Sequence, residues 1–94
     1  MKVVWTEPAD KDREQIVSFI ALDNPQAAIE MDSLFTEAGA SLENFAFRGR
    51  SGRVANTREL LVHKNYIIVY RIDKIAEIVY INAVLHVARQ YPPE

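Results

Sequence analysis

Ninety-four residues, 49% of them hydrophobic and 26% charged, suffice for one core, so a single domain spanning residues 1–94 is expected. The absence of cysteine excludes disulfides, thiolate metal sites and a thiol nucleophile. The net charge of −2 conceals a split: residues 1–45 hold nine acids against three bases, and residues 46–94 hold eight bases against four acids, which suggests one face that meets an anionic partner.

Lys2–Trp5 reads as a short buried strand. Thr6 is placed to cap the helix that follows, with Pro8 in its first turn, where a missing N–H costs nothing. Glu7, Asp10 and Asp12 then lie near the positive end of the helix dipole. Ile16, Phe19 and Ile20, joined by Val17, form its apolar stripe. Leu22-Asp-Asn-Pro25 ends it, because the residue before a proline avoids the helical region; Asn24 can cap a new helix with Pro25 at its first position. In this second helix Ala28, Met31, Phe35, Ala38 and Leu42 recur at intervals of 3, 4, 3 and 4, with Ala27 and Leu34 beside them. That is a one-sided stripe whose last turn Gly39 weakens. A three-residue connection makes the two helices an antiparallel hairpin.

The segment Arg48-Gly-Arg-Ser-Gly-Arg53, followed by Thr57-Arg58-Glu59-Leu60, places four arginines within eleven residues. Its two glycines argue against helix or regular strand. Guanidinium forks on such a loop suit phosphates or carboxylates better than lysines would.

From Thr57 the period becomes two. Arg58–His63, Tyr66–Ile72 and Glu77–Leu85 are β-rich runs separated by the turn-like Lys64-Asn65 and Asp73-Lys74, so they pair antiparallel. The last run is the longest and most apolar and should lie centrally. Within it Val79, Ile81, Ala83 and Leu85 are expected to face the helices. Tyr80, Asn82 and His86, mixed with Ile78 and Val84, are expected on a half-polar, accessible second face. Arg71 is the one charged residue inside its run and needs solvent or a partner. The tail from Val87, ending in Pro92-Pro93, reads as irregular. The outline is an α+β fold, β-α-α-β-β-β, with a helical hairpin on one face of a mainly antiparallel sheet. No apolar run approaches the roughly twenty residues of a membrane span. Met1-Lys-Val-Val-Trp5 is too short for a signal peptide, and a soluble cytoplasmic protein is expected.

No strong catalytic motif is present. His63 and His86 are not at helical metal spacing, so neither a metal site nor a cofactor is expected, and the GxxxxGK pattern of a phosphate loop is missing. Acid–base or electrostatic chemistry on an anionic polymer stays open. His86 could act as general acid or base. Arg48, Arg50, Arg53, Arg58 and Arg71 could hold phosphates, and Tyr80 or Tyr91 could stack on a base. The plainer alternatives are a strand-end His86 satisfied by backbone, and an Arg58 salt bridge to Glu59 or Glu77. An acidic isoelectric point stands against polymer binding.

Trp5-Thr6-Glu7-Pro8-Ala9, Asn24-Pro25-Gln26-Ala27-Ala28, Gly49-Arg50-Ser51-Gly52-Arg53-Val54, Thr57-Arg58-Glu59-Leu60, Tyr70-Arg71 and Leu85-His86-Val87-Ala88-Arg89-Gln90-Tyr91-Pro92 occur in this order. Together they resemble the RelE/ParE toxin superfamily over nearly the whole chain, closest to the ParE branch. The resemblance implies the toxin half of a bacterial type II toxin–antitoxin module, held in a hetero-oligomer by an antitoxin whose C-terminal segment wraps it. The hairpin residues Ile16, Phe19, Ile20, Met31 and Phe35 are the implied antitoxin contacts. The ParE branch acts on DNA gyrase and blocks replication, whereas the RelE branch cuts mRNA on the ribosome. The Gly-Arg-x-Gly-Arg-Val, Thr-Arg-Glu-Leu and Arg-Gln-Tyr-Pro matches look like the gyrase-directed branch, making Arg48, Arg50, Arg53, Arg58, Arg89 and Tyr91 the implied target contacts. A ribonuclease would instead use His86 with Arg71. A degenerate member would keep only antitoxin binding.

Overall fold

Both helices begin where proline places them. In the computed structural model, which describes residues 1–89, 91 and 92, strand β1 (Lys2–Trp5) leads into helix α1 (Glu7–Ala21), and helix α2 (Pro25–Ser41) follows after three residues. Thr6 occupies the N-cap position of α1, but its hydroxyl donates to the Ile81 carbonyl at 2.6 Å instead of serving a helix amide. The cap position is thus used to tie helix to sheet. Asn24 caps α2 in the expected way, its side-chain oxygen accepting the Ala27 N–H at 3.1 Å. Among the described residues no helix is long and apolar enough to cross a membrane.

The remaining strands are β2 (Arg50–Ser51), β3 (Arg58–His63), β4 (Tyr66–Asp73) and β5 (Ile78–His86). They form one mixed sheet in the order β1-β5-β4-β3-β2, with β1 parallel to β5 and the other pairs antiparallel. The expected α+β outline holds, with two corrections. The middle strand is β4, and β5 lies one place toward the edge. The arginine segment also contributes a short strand, Arg50 and Ser51 pairing with Glu59 and Arg58, so its glycines flank a strand where none was expected.

The hairpin covers one sheet face. Phe35, Leu42, Ile68, Tyr70, Val79 and Ile81 are fully buried in this core, with Met31 and Val84 beside them. Gly39, in the last turn of α2, is also a close-approach site: a Cβ there would stand 2.9 Å from Cζ2 of Trp5. Arg13 pins α1 to α2. Its Nε donates to Asp32 Oδ1 at 2.8 Å, and its Nη2 donates to the Asp32 carbonyl at 2.9 Å and to the Thr36 hydroxyl. Its guanidinium also lies 4.8 Å from the centre of the Trp5 ring.

One irregularity reassigns the faces of β5. Val69 pairs with Ala83 but Tyr70 pairs with Ile81, which leaves Asn82 as an extra residue, a β-bulge. Val79 and Ile81 face the helices as expected. Beyond the bulge the parity flips: Val84 joins the helix-side core, while Ala83 and Leu85 turn to the second face with Ile67 and Val69. That face is therefore apolar beside Ala83 and Leu85, not half polar. His86 moves to the helix side, edge-on to Tyr66 with ring centres 5.4 Å apart. Pairing with β1 ends at Trp5 and Ile81, so the outer edge of β5 is open beyond that point. Asp12 of α1 reaches this edge, its Oδ2 accepting the Val84 N–H at 3.0 Å.

Candidate interaction site

The segment from Ala46 to Arg53 is anchored from below by Tyr70. The buried hydroxyl of Tyr70 donates to the Ala46 carbonyl at 2.7 Å and accepts the Gly49 N–H at 2.9 Å. Burial pushes this phenol above its ordinary pKa, against a smaller opposing effect of the Gly49 hydrogen bond and the nearby arginines. Only glycine fits at position 49, where a Cβ would stand 2.7 Å from Tyr70 Oη and 2.9 Å from the Glu59 carbonyl. Arg58 fastens the same segment from the side. Its Nη1 donates to the carbonyls of Gly49 at 2.7 Å and Phe47 at 3.3 Å, and its guanidinium stacks 5.0 Å from the Phe47 ring centre. Arg58 therefore uses backbone carbonyls, and makes neither of the salt bridges, to Glu59 or Glu77, that were the plainer alternative for it.

Glu59 points to the opposite face and is 3% exposed. Its Oε2 accepts the Arg53 N–H at 2.9 Å and Arg53 Nε at 3.0 Å, and its Oε1 accepts Arg50 Nη2 at 3.3 Å. Burial by itself would raise the carboxyl pKa. The hydrogen bonds from Arg53, its charge and the Arg50 bond together outweigh burial and hold Glu59 below the ordinary glutamate value. A depressed folded-state pKa means stability that is present above the unfolded value of about 4.3 and lost as pH falls through the folded value. Between pH 5 and pH 3 the unfolding free energy should therefore fall more steeply in the native protein than in Glu59→Gln. Urea unfolding at a series of pH values checks this, and parallel slopes would contradict it.

Arg53 also reaches the C-terminal segment, its Nη1 lying 3.5 Å from the Arg89 carbonyl. Tyr91 covers the apolar second face of Ile67, Val69, Ala83 and Leu85. A cavity of about 500 Å³ opens beside the arginines, with Leu61, Ile67 and Val87 in its wall. Arg50 and Arg53 are thus gathered on Glu59 beside this cavity, and Tyr91 packs against Ile67 in its wall. Arg89 offers Arg53 only its backbone carbonyl and itself lines a separate hollow beside α1 with Asp12, Phe19 and His86. Arg71 shares the sheet face of Arg50 and Arg53 but stands over Tyr80 at 4.2 Å from the ring centre. Arg48 donates to Ser41 Oγ at the end of α2 at 3.0 Å and also lines the cavity beside Arg50 and Arg53.

The ribonuclease pair is not brought together. His86 pairs with Tyr66 and Arg71 with Tyr80, five positions apart along β4, which is roughly 16 Å of strand. The bulge also puts their side chains on opposite faces. His86 Nδ1 accepts the Ala88 N–H at 3.1 Å, the backbone satisfaction that the plainer reading anticipated.

Two of the hairpin residues implied as antitoxin contacts are core. Met31 is 8% exposed and Phe35 0%, so neither offers a docking surface. Ile16 and Ile20 are half-buried against that core. Phe19 is no part of the inward stripe and is 75% exposed, with Leu22 and Ile29 also open. The sequence reading missed Leu22, Ile29 and the buried role of Glu59. An apolar pair at the hairpin turn was the available signal for the first; the second depends on a loop folding over it.

Two helices on a mixed five-stranded sheet, with an arginine segment and a C-terminal segment meeting on the face away from the helices, define a RelE/ParE-type fold. The chain is structurally similar to a chain of the chromosomal ParDE toxin–antitoxin system from P. aeruginosa, with a TM-score of 0.82, 22% identity and coverage of 93% of this chain and 96% of that one. It is also similar to a chain of the RelBE2 toxin–antitoxin complex from Mycobacterium tuberculosis, with a TM-score of 0.62, 21% identity and coverage of 90% and 95%. In sequence, residues 3–91 match the family described as "ParE toxin of type II toxin-antitoxin system, parDE". The protein named "Putative toxin Y4kP" of Sinorhizobium fredii is 35% identical over 92 residues, 97% of this chain and 93% of that protein. The chain belongs to the ParE toxin family of type II toxin–antitoxin systems.

Proposed function

We propose that this toxin acts on DNA gyrase in the cytoplasm and blocks replication, using the surface where the arginine segment meets the C-terminal segment. One observation carries the reading: Glu59 holds Arg50 and Arg53 together beside a cavity that the C-terminal segment borders, through Val87 in its wall, the Arg89 carbonyl against Arg53 and Tyr91 packed on Ile67. These are the two segments by which the chain resembles gyrase-directed toxins. The dispersal of His86 and Arg71 to opposite faces supports the same choice over mRNA cleavage. A cognate antitoxin neutralises the protein, supplying apolar side chains to the exposed Phe19, Leu22 and Ile29 and carboxylates to the arginines.

The test is DNA cleavage by purified gyrase on supercoiled plasmid. Linear plasmid should accumulate with the native protein after detergent and protease treatment. The double variant Arg50→Ala, Arg53→Ala should need at least about tenfold more protein for the same yield, as expected when anchoring arginines are lost. His86→Ala should behave as the native protein. Absence of linear product, together with mRNA cleavage on ribosomes that His86→Ala abolishes, would replace this reading with the ribonuclease one. Calorimetry with the product of the neighbouring gene tests the antitoxin, for which absence of binding would be decisive.

A further inference from the structure

Glu59 is the one buried charged side chain among the described residues, and its burial calls for a reason. Stability alone does not supply one: an apolar side chain of similar volume does as well as, or better than, a buried ion pair in many interiors. What the carboxylate does here is geometric. By accepting both the backbone N–H and Nε of Arg53, it fixes the plane of that guanidinium; Nη1 then lies 3.5 Å from the Arg89 carbonyl, and Nη2 has no hydrogen-bond partner among the described residues. By accepting only Nη2 of Arg50, whose side chain is 76% exposed, it leaves the other donors of that fork free. Two like charges are held side by side, their repulsion offset by a carboxylate that solvent hardly reaches.

We propose that Glu59 is a positioning residue that preforms Arg50 and Arg53 into a receptor for a carboxylate on an acidic polypeptide segment of the target. The chemistry favours a polypeptide over the phosphates of DNA for two reasons. The charged residues lining the cavity, Arg48, Arg50 and Arg53 against Glu59, carry a net charge of only +2 within a chain of net −2, which suits an isolated carboxylate better than a polyanion. The adjoining cavity of about 500 Å³ also has Leu61, Ile67 and Val87 in its wall, which fits the apolar side chain of a residue next to that carboxylate. Preorganisation is the physical gain: arginines already fixed lose little side-chain freedom on binding.

The inference deepens the gyrase reading, and its test separates the two. Glu59→Gln keeps the shape and one acceptor but loses the charge that pins the guanidinium groups. In the native protein, the Arg53 Nε–H should exchange slowly with solvent by NMR; in Glu59→Gln it should exchange rapidly. Binding to DNA-free gyrase should weaken by roughly tenfold, the ordering cost of two freed long side chains, while the melting temperature stays within a few degrees. A short DNA duplex should bind neither form appreciably.

Unchanged gyrase affinity in a Glu59→Gln protein that has lost Nε–H protection would overturn the positioning role. Rapid Arg53 Nε–H exchange in the native protein would do the same, whatever the stability of the variant. Binding of the duplex at Arg50 and Arg53, without binding of DNA-free gyrase, would overturn the carboxylate assignment. If the native protein neither binds gyrase nor traps cleaved DNA, the gyrase reading falls. The exchange of Arg53 Nε–H in the two proteins then decides the role of Glu59 by itself.

Discussion

Phe35→Ala is expected to lower the unfolding free energy by about 3–5 kcal/mol, the range for truncating a buried aromatic. A chain of this length commands only about 5–14 kcal/mol in total. Phe35 has no exposed surface, sits at the centre of the helix-side core and meets Tyr66 edge-on at 6.0 Å between ring centres. The Arg13 guanidinium lies 5.9 Å from its ring centre, so the cavity left by the substitution would also loosen the pin between α1 and α2. Urea unfolding measures the effect. The control is Phe19→Ser on the same hairpin, where an exposed ring leaves water for nothing and stability should change by less than about 0.5 kcal/mol. The pair also separates core from docking surface: Phe19→Ser should weaken antitoxin binding in a fully folded protein. A Phe35→Ala protein of native stability with weakened antitoxin binding would return that side chain to the surface and refute the core described above.

What was legible in the sequence was local. Asn24-Pro25 carries its own capping chemistry, and the structure uses it. The run Arg58–His63 has turn residues at its far end, and its strand bounds came out as read. What was not legible depends on chain neighbours distant in sequence. Ile81, Ala83, Val84 and Leu85 are all apolar, so nothing in the run itself marks where its parity changes. Only pairing with Val69 and Tyr70 shows that Asn82 is surplus. That single residue made His86 look as if it shared a face with Tyr80, whereas it stands opposite Tyr66 on the helix side, away from Arg71.

The helix stripes failed differently. A period of 3.6 identifies the inward side of a helix, but burial depth depends on what lies opposite. Met31 and Phe35 face a sheet that seals them, whereas Phe19, on the flank of the stripe set by Ile16 and Ile20, has nothing above it. Glu59 is the sharpest case. As a residue of an alternating strand it reads as solvent-facing, and the Arg50–Arg53 segment folding back over it is what buries it.

Tyr70→Phe removes one oxygen atom, yet it should be among the most costly changes in the chain. The Tyr70 hydroxyl serves two buried backbone groups at once, the Ala46 carbonyl and the Gly49 N–H. Each orphaned group costs about 1–3 kcal/mol, so a loss well above that of a single hydrogen bond is expected in urea unfolding. The functional effect follows from position, since Gly49 directly precedes the strand that carries Arg50. Hydrogen exchange at the Gly49 amide should accelerate relative to the core amide of Val79, and the yield of cleaved plasmid at a fixed toxin concentration should fall. Exchange at Gly49 that keeps pace with Val79 would mean that the segment is held by Arg58 and Glu59 without the phenol. The neighbouring glycine supplies an internal check. A Cβ at Gly49 would meet Tyr70 Oη at 2.7 Å, Tyr70 Cε1 at 2.9 Å and the Glu59 carbonyl at 2.9 Å. Gly49→Ala should therefore cost less in the Tyr70→Phe background than alone, because one of the three clashes has been removed. It should still be destabilising there, because the ring edge and the strand carbonyl remain. Strict additivity of the two changes would place the Gly49 backbone farther from the Tyr70 oxygen than a hydrogen bond allows.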